Sequence, residues 1–295
     1  MHTVATHTAT HVAARAAVRA AARAADDLLR DGYARVTLDD GAAHLLHRVL
    51  GESRTFFGWP TERKFRYSTG DFNFGYRPLG REFSVRSDRP DLNDCFTLWH
   101  DRLDLIPHAA ELPDLTDALL AWRRHLAALV THTVGELAAR LGGHRAPAFE
   151  AASYLQLNDY AATGSDRDLL QDRHEDGHLV TVIHATAPGL ELFLDGTPRP
   201  VDTAPDEVIL MPGSVLTDLT AGRVPALYHQ VRNLRLPERT ALMYFVNPEL
   251  TEPVYAWTAE PGAQRGAERG AERVDLREKI RTNPGMFGLP EVPAL

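Results

Sequence analysis

The chain changes rhythm near residue 145. Before that point apolar residues recur at helical spacing, most clearly at Leu115, Leu119, Trp122, Leu126, Leu129, Val134, Leu137 and Leu141. That stripe predicts one long helix, stopped by Gly142-Gly143. A similar pattern predicts a helix over about 11–30, closed by Asp31-Gly32, and another over about 41–57, with a β-like run from Tyr33 to Leu38 between them. Residues 66–105 are rich in aromatics, Arg, Gly and Pro and read as loops with short strands. After 145 the apolar runs are short and β-rich: SYLQL, LVTVI, LELFL, EVILM, ALYHQV and TALMYFV. Turn-forming APGL, LDGTP, MPGS, TAGRVP and LPER separate them. The expected class is α+β with a mainly β core: a helical N-terminal region and a long supporting helix leading into a jelly-roll sandwich.

The 295 residues, 44% of them hydrophobic, suffice for one domain with a large core. We read 1–295 as a single domain, with a mainly helical part (1–145), a jelly-roll core (146–250) and a C-terminal extension (251–295). The repeat RGAERGAER marks 263–273 as a flexible, solvated segment. A net charge of −8 argues against a nucleic-acid partner. No apolar stretch reaches membrane-helix length, and the N-terminal residues lack the apolar core of a secretory signal. The lone Cys95 excludes a disulfide framework and cysteine-based metal sites, and a cytoplasmic setting is expected.

Candidate chemistry concentrates in QDRHEDGHLVTVIHA, residues 171–185. Two metal readings share His174. In the first, His174 and Asp176 lie two apart on a strand or at its mouth, so both side chains reach one face. His229, in another β-like run, supplies the third ligand. Two imidazoles and a carboxylate on one face leave the opposite face of an octahedral iron open. In the second, His174-Glu175-x-x-His178 is a zinc-protease pattern, with Glu175 as base and His184 as third ligand. That pattern needs a helix, which Gly177 and the β-branched run after it oppose. We read His178 and His184 as bystanders.

Around the first reading, several segments resemble the isopenicillin N synthase-like branch of the Fe(II)/2-oxoglutarate dioxygenases. Asn158-x-Tyr160 precedes the His-x-Asp strand, and PGLELF and EVILMPGS follow it. Thr220, Gly222 and Arg223 lead to His229, and Arg239-Thr240-Ala241 leads into a strand ending at Asn247-Pro248. Upstream, FFGWPTERKFRY, GYRPLG and DLNDCFTLW match further family segments. The departures are Ala241 where the family has Ser, His-Gln-Val in place of His-Arg-Val, and Gly213-Ser214 in place of Gly-Asp.

The resemblance implies a double-stranded β-helix forming one oxygenase domain. It implies Fe(II) on His174, Asp176 and His229, with 2-oxoglutarate and O₂ as cosubstrates. Arg239 would bind the distal carboxylate of 2-oxoglutarate, aided by Tyr160 and Asn158. The implied reaction is hydroxylation, desaturation or ring formation on a small molecule, such as an amino acid, peptide or specialised metabolite. A cosubstrate-free oxidase of the same fold is the alternative, with Arg239 then holding a substrate carboxylate. Arg81 and Arg86, in an arginine-rich loop, would favour an anionic substrate if they face inward.

Overall fold

The structure is a computed structural model describing residues 2–85, 88–143, 146–149, 151–161, 164–249, 254–257 and 273–283, with side chains described from residue 17 onward. Its helices are α1 (His2–Asp31), α2 (Asp40–Phe57), α3 (Thr61–Lys64), α4 (Pro113–Arg140), α5 (Ser214–Leu219) and α6 (Leu276–Thr282). The strands before α4 are β1 (Ala34–Thr37), β2 (Gly75–Arg77) and β3 (Asp94–Trp99). Those after it are β4 (Tyr154–Asp159), β5 (Leu169–His174), β6 (Val180–Ala185), β7 (Leu190–Leu194), β8 (Thr197–Pro200), β9 (Glu207–Pro212), β10 (His229–Arg232), β11 (Thr240–Val246), β12 (Val254–Tyr255) and β13 (Arg273–Val274).

Two antiparallel sheets form the core. The larger has the order β1-β9-β6-β11-β4-β3-β2 and the smaller β5-β10-β7-β8. Alternation along the large sheet assigns its faces. Leu155, Leu157, Val180, Val182, Val208, Leu210, Leu242 and Tyr244 join the helices in the main apolar core. On the other face Ile183, Ala185, Ile209, Met211, Ala241 and Met243 meet Leu190, Leu192 and Val231 of the small sheet in a second core. Helix α4 packs against both α1 and α2, which is why apolar residues cover more than one of its sides. Asp39 caps α2 by accepting from the Ala42 amide at 2.8 Å. This is the expected α+β, double-stranded β-helix-like architecture.

The three long helices fall where the spacing placed them, α1 starting earlier than expected. Strand β8 was not anticipated, and β5 was expected only at its His174 end. LLQDRH is too polar to read as a strand, and β8 contains Pro198 and Pro200, which an edge strand tolerates. The segment 263–273 lies outside the described residues apart from Arg273, which pairs in β13. Among the described residues no helix is long and apolar enough to cross a membrane.

Candidate metal centre

His174 is the last residue of β5 and His229 the first of β10, and the two stand directly opposite in the antiparallel ladder. Their rings are 4.3 Å apart between centroids. Asp176, in the loop after β5, places Oδ1 3.8 Å from His174 Nε2 and 3.9 Å from His229 Nε2. One ligand atom from each residue lies within 4.8 Å of the others.

Each side chain is held by its other polar atom. His174 Nδ1 donates to the Asp172 carbonyl at 2.7 Å and His229 Nδ1 to the Leu227 carbonyl at 3.2 Å. A carbonyl only accepts, so Nδ1 carries the proton and each Nε2 presents its lone pair to the shared point. Thr181, from β6, donates its hydroxyl to Asp176 Oδ2 and leaves Oδ1 facing the rings. The carbonyl of Asp176 accepts from the Ser214 amide at 2.9 Å. Gly213 makes that contact possible, because a Cβ there would collide with the His178 carbonyl.

Electrostatics suit a cation. Burial penalises the Asp176 carboxylate, but His229, His178, His174 and the Thr181 hydroxyl outweigh it and hold its pKa below the ordinary value. Burial, with His174 close by, lowers His229 to about 4, so its ring is neutral near pH 7.

A buried arginine lies beyond these ligands. Arg239, 2% exposed, immediately precedes β11. Its Nε donates to the Pro188 carbonyl at 3.2 Å, and its guanidinium lies 4.7 Å from the Tyr160 ring centroid. Nη1 and Nη2 have no hydrogen-bond partner. Gly189, at φ 129°, passes 3.5 Å from Arg239 Nε at its Cβ position, leaving the arginine room. A cavity of about 170 Å³ adjoins Arg239, Tyr160, Leu170 and Pro188. A second, of about 70 Å³, adjoins the three converging residues, Asn158, Gln171 and Met243.

Residues 152–248 match the family model described as the 2OG-Fe(II) oxygenase superfamily. That stretch is a 2OG-Fe(II) oxygenase domain. The chain is an oxidoreductase that uses Fe(II) and 2-oxoglutarate. A comparison with curated proteins finds no match. Solved structures share the oxygenase's fold. A putative 2OG-Fe(II) oxygenase family protein from Caulobacter crescentus is 21% identical, with 92% of this chain and 97% of that one covered, at a TM-score of 0.73. Full-length Neurospora crassa T7H in complex with alpha-KG is 18% identical, with 87% of each chain covered and a TM-score of 0.70. The rice dioxygenase for auxin oxidation is 22% identical, covering 94% and 93%, with a TM-score of 0.67.

The residues of this oxygenase fit both groups. Two imidazoles and one carboxylate form a donor set suited to ferrous iron. The two orphaned Arg239 nitrogens are the donors a buried carboxylate would pair with. Asn158 and Tyr160 lie between these ends in a directed chain of hydrogen bonds. Thr97 donates to Gln156 (3.5 Å), Gln156 to Asn158 (2.9 Å), Asn158 to the Tyr160 oxygen (3.1 Å), Tyr160 to Gln171 (2.8 Å) and Gln171 to Asp91 (3.4 Å). The Tyr160 proton is thus committed to Gln171.

The zinc-protease reading is overturned, because His174 ends a strand and a second strand begins at Val180, with no helix between. His178 is bound to Asn247 at 2.8 Å, and His184 faces away, against the Glu207 carbonyl. Gln230 points to the outer face and donates to Glu191, so that departure from the family pattern does not touch the site. Thr240 alternates to the other face, opposite Asp159 in the ladder, leaving the Ala241 position without a hydroxyl. Arg81 is exposed, its guanidinium 5.2 Å from the Phe72 ring centroid, and Arg86 lies outside the described residues.

Sequence reasoning missed Thr181, Gln156 and Gln171. The first two were readable as inward positions on alternating strands. Gln171 was not. A register shift between β5 and β10 pairs His229 with His174 but Val231 with Gln171, which brings residues three apart to one cavity.

Proposed function

We propose that the oxygenase oxidises a small organic molecule at an iron held by His174, Asp176 and His229, with Arg239 binding the distal carboxylate of 2-oxoglutarate. Convergence of two Nε2 lone pairs and Asp176 Oδ1, each fixed through its remaining polar atom, carries the proposal. Ferrous iron with 2-oxoglutarate supplies the means to activate O₂ as the keto acid is decarboxylated to succinate, and so to oxidise a substrate held alongside. The protein's share is placement. His174 and His229 turn Nε2 to the shared point, Thr181 holds Asp176 with Oδ1 facing them, and Arg239 sets the cosubstrate's direction. Leu190, Met211, Met243 and Phe245 wall the cavity and exclude water. Asn158 orients the cosubstrate or substrate, and Tyr160 supports Arg239 through its ring.

The Asn158-x-Tyr160, His-x-Asp and Arg239-x-Ala segments support a place in the isopenicillin N synthase-like branch. Related structures hold thymine or JA beside the cosubstrate, or carry the name of auxin oxidation, which supports a substrate of comparable size. An anaerobic titration tests the proposal. Metal-free protein loaded with Fe(II) and then 2-oxoglutarate should develop the visible charge-transfer band of the chelate. The band should vanish in His174→Ala and His229→Ala and require more 2-oxoglutarate in Arg239→Ala. Fe(II) binding with no band would refute the cosubstrate role, and no Fe(II) binding would refute the ligand assignment.

A further inference from the structure

The charges around the metal cavity are unevenly settled. Among the described residues lining it there is no lysine or arginine. Arg77, on the neighbouring strand β2, is committed to Glu82 in a half-buried ion pair that also takes the Phe72 carbonyl. Arg89 is committed to Asp172 at 3.1 Å. Glu175 is different. It sits between His174 and Asp176, lines the same cavity and is only half exposed. Among the described residues it has no ion pair and no side-chain hydrogen bond.

Once the proposed occupants are in place, the ledger leaves this carboxylate over. The charge of ferrous iron and that of Arg239 are matched by Asp176 and the two carboxylates of 2-oxoglutarate. Glu82 is matched by Arg77. Glu175 then faces the substrate volume with no cation among the described residues to neutralise it, in surroundings where apolar Leu190, Met243 and Phe245 lower the local dielectric. An anionic group brought there meets repulsion, and a cationic one is drawn in.

The geometry points to Glu175 as a specificity-determining residue that binds a protonated amine on the substrate, whose hydrocarbon part lies against Leu190, Met243 and Phe245. The inference rests on the iron and 2-oxoglutarate reading above and names the substrate class for that site. It runs opposite to the anionic substrate that Arg81 and Arg86 would favour. Among the described residues no lysine or arginine competes for the carboxylate, so the amine gains a full charge-assisted hydrogen bond instead of displacing one.

Matched probes of one shape and three charges test it: phenethylamine, 2-phenylethanol and phenylacetate. Each is titrated anaerobically into the Fe(II)–2-oxoglutarate protein, following the shift of the visible band and the heat of binding. The amine should bind at least about tenfold more tightly than the alcohol or the acid, the size of one charge-assisted contact. Glu175→Gln should remove that preference and Glu175→Asp should keep part of it. The inference is overturned if the acid or the alcohol binds as tightly as the amine, if Glu175→Gln leaves the ranking intact, or if none of the three binds. The band recorded before any probe is added reports on the iron and cosubstrate reading alone, so the two failures are separable.

Discussion

The two ends of the site solve opposite problems. At the metal end every polar atom that does not face the shared point is already satisfied: two imidazole Nδ1 groups by backbone carbonyls, Asp176 Oδ2 by Thr181. At the arginine end the position is reversed, because Arg239 is buried with both terminal nitrogens unpaired. Burial alone pushes its guanidinium pKa below the ordinary value, with Tyr160 only partly offsetting it. The metal end is therefore pre-organised and internally complete. The arginine end is pre-organised and incomplete, and a carboxylate supplied from outside would complete it. An ion would add to the first without relieving much, while a dicarboxylate would relieve the second.

The largest test of this contrast is Arg239→Leu. It should weaken 2-oxoglutarate by about a hundredfold, since a buried charge pair loses one partner. It should also make the ligand-free protein more stable, by about 1–3 kcal/mol, since two orphaned donors disappear. Titration of the charge-transfer band and chemical denaturation measure the two, and a loss of ligand-free stability would break the comparison. Thr181→Val probes the other end. Iron affinity should fall about 10- to 100-fold with little change in 2-oxoglutarate affinity per bound iron. Competition with a chelator of known strength measures it.

Smaller again is Ala241→Ser. Ala241 stands on the same inward face as Asn158, its register partner, two residues beyond Arg239. A hydroxyl there should tighten 2-oxoglutarate by about 0.5–1.5 kcal/mol, as one added hydrogen bond does. Asp159→Asn should move neither affinity. Burial, with Asp94 nearby, raises the Asp159 pKa to about 6. The folded state therefore holds a proton that the unfolded state has released as pH rises from about 4 to about 6, and stability is lost through that window. The variant should accordingly be stabilised more at pH 8 than at pH 5 when unfolding is followed in denaturant at both pH values.

Most of this architecture is written in short-range pattern. The three long helices and seven of the strands announce themselves through spacing, and His174, Asp176 and His229 stand out because ligand chemistry demands particular residue types. What escapes is set by pairing at a distance. Only the His174 end of β5 reads as a strand, because its register shift spoils alternation upstream, so Gln171 gave no sign that it faces the site. The ion pair of Lys64 with Asp94, 2.7 Å long and mostly buried, joins segments the sequence only hinted belonged together. The solitude of Glu175 is a negative property, legible only once the neighbours are in place. The exposure of Arg81 was likewise invisible, since a stack on Phe72 leaves no trace in spacing.

The position of β5 at the rim of the small sheet has a consequence for how the molecule breathes. Among the described residues its one ladder partner is β10, and their facing ends carry one imidazole each. A rim strand opens more readily than an interior one, exposing its amides to solvent exchange. An ion bound to both imidazoles would stitch that seam shut, and stripping it should let the amides of 169–174 exchange faster while those of β4 and β11, paired on both sides, keep their protection. Occupancy of the site would then be readable from the labelling of one peptide, without a turnover assay.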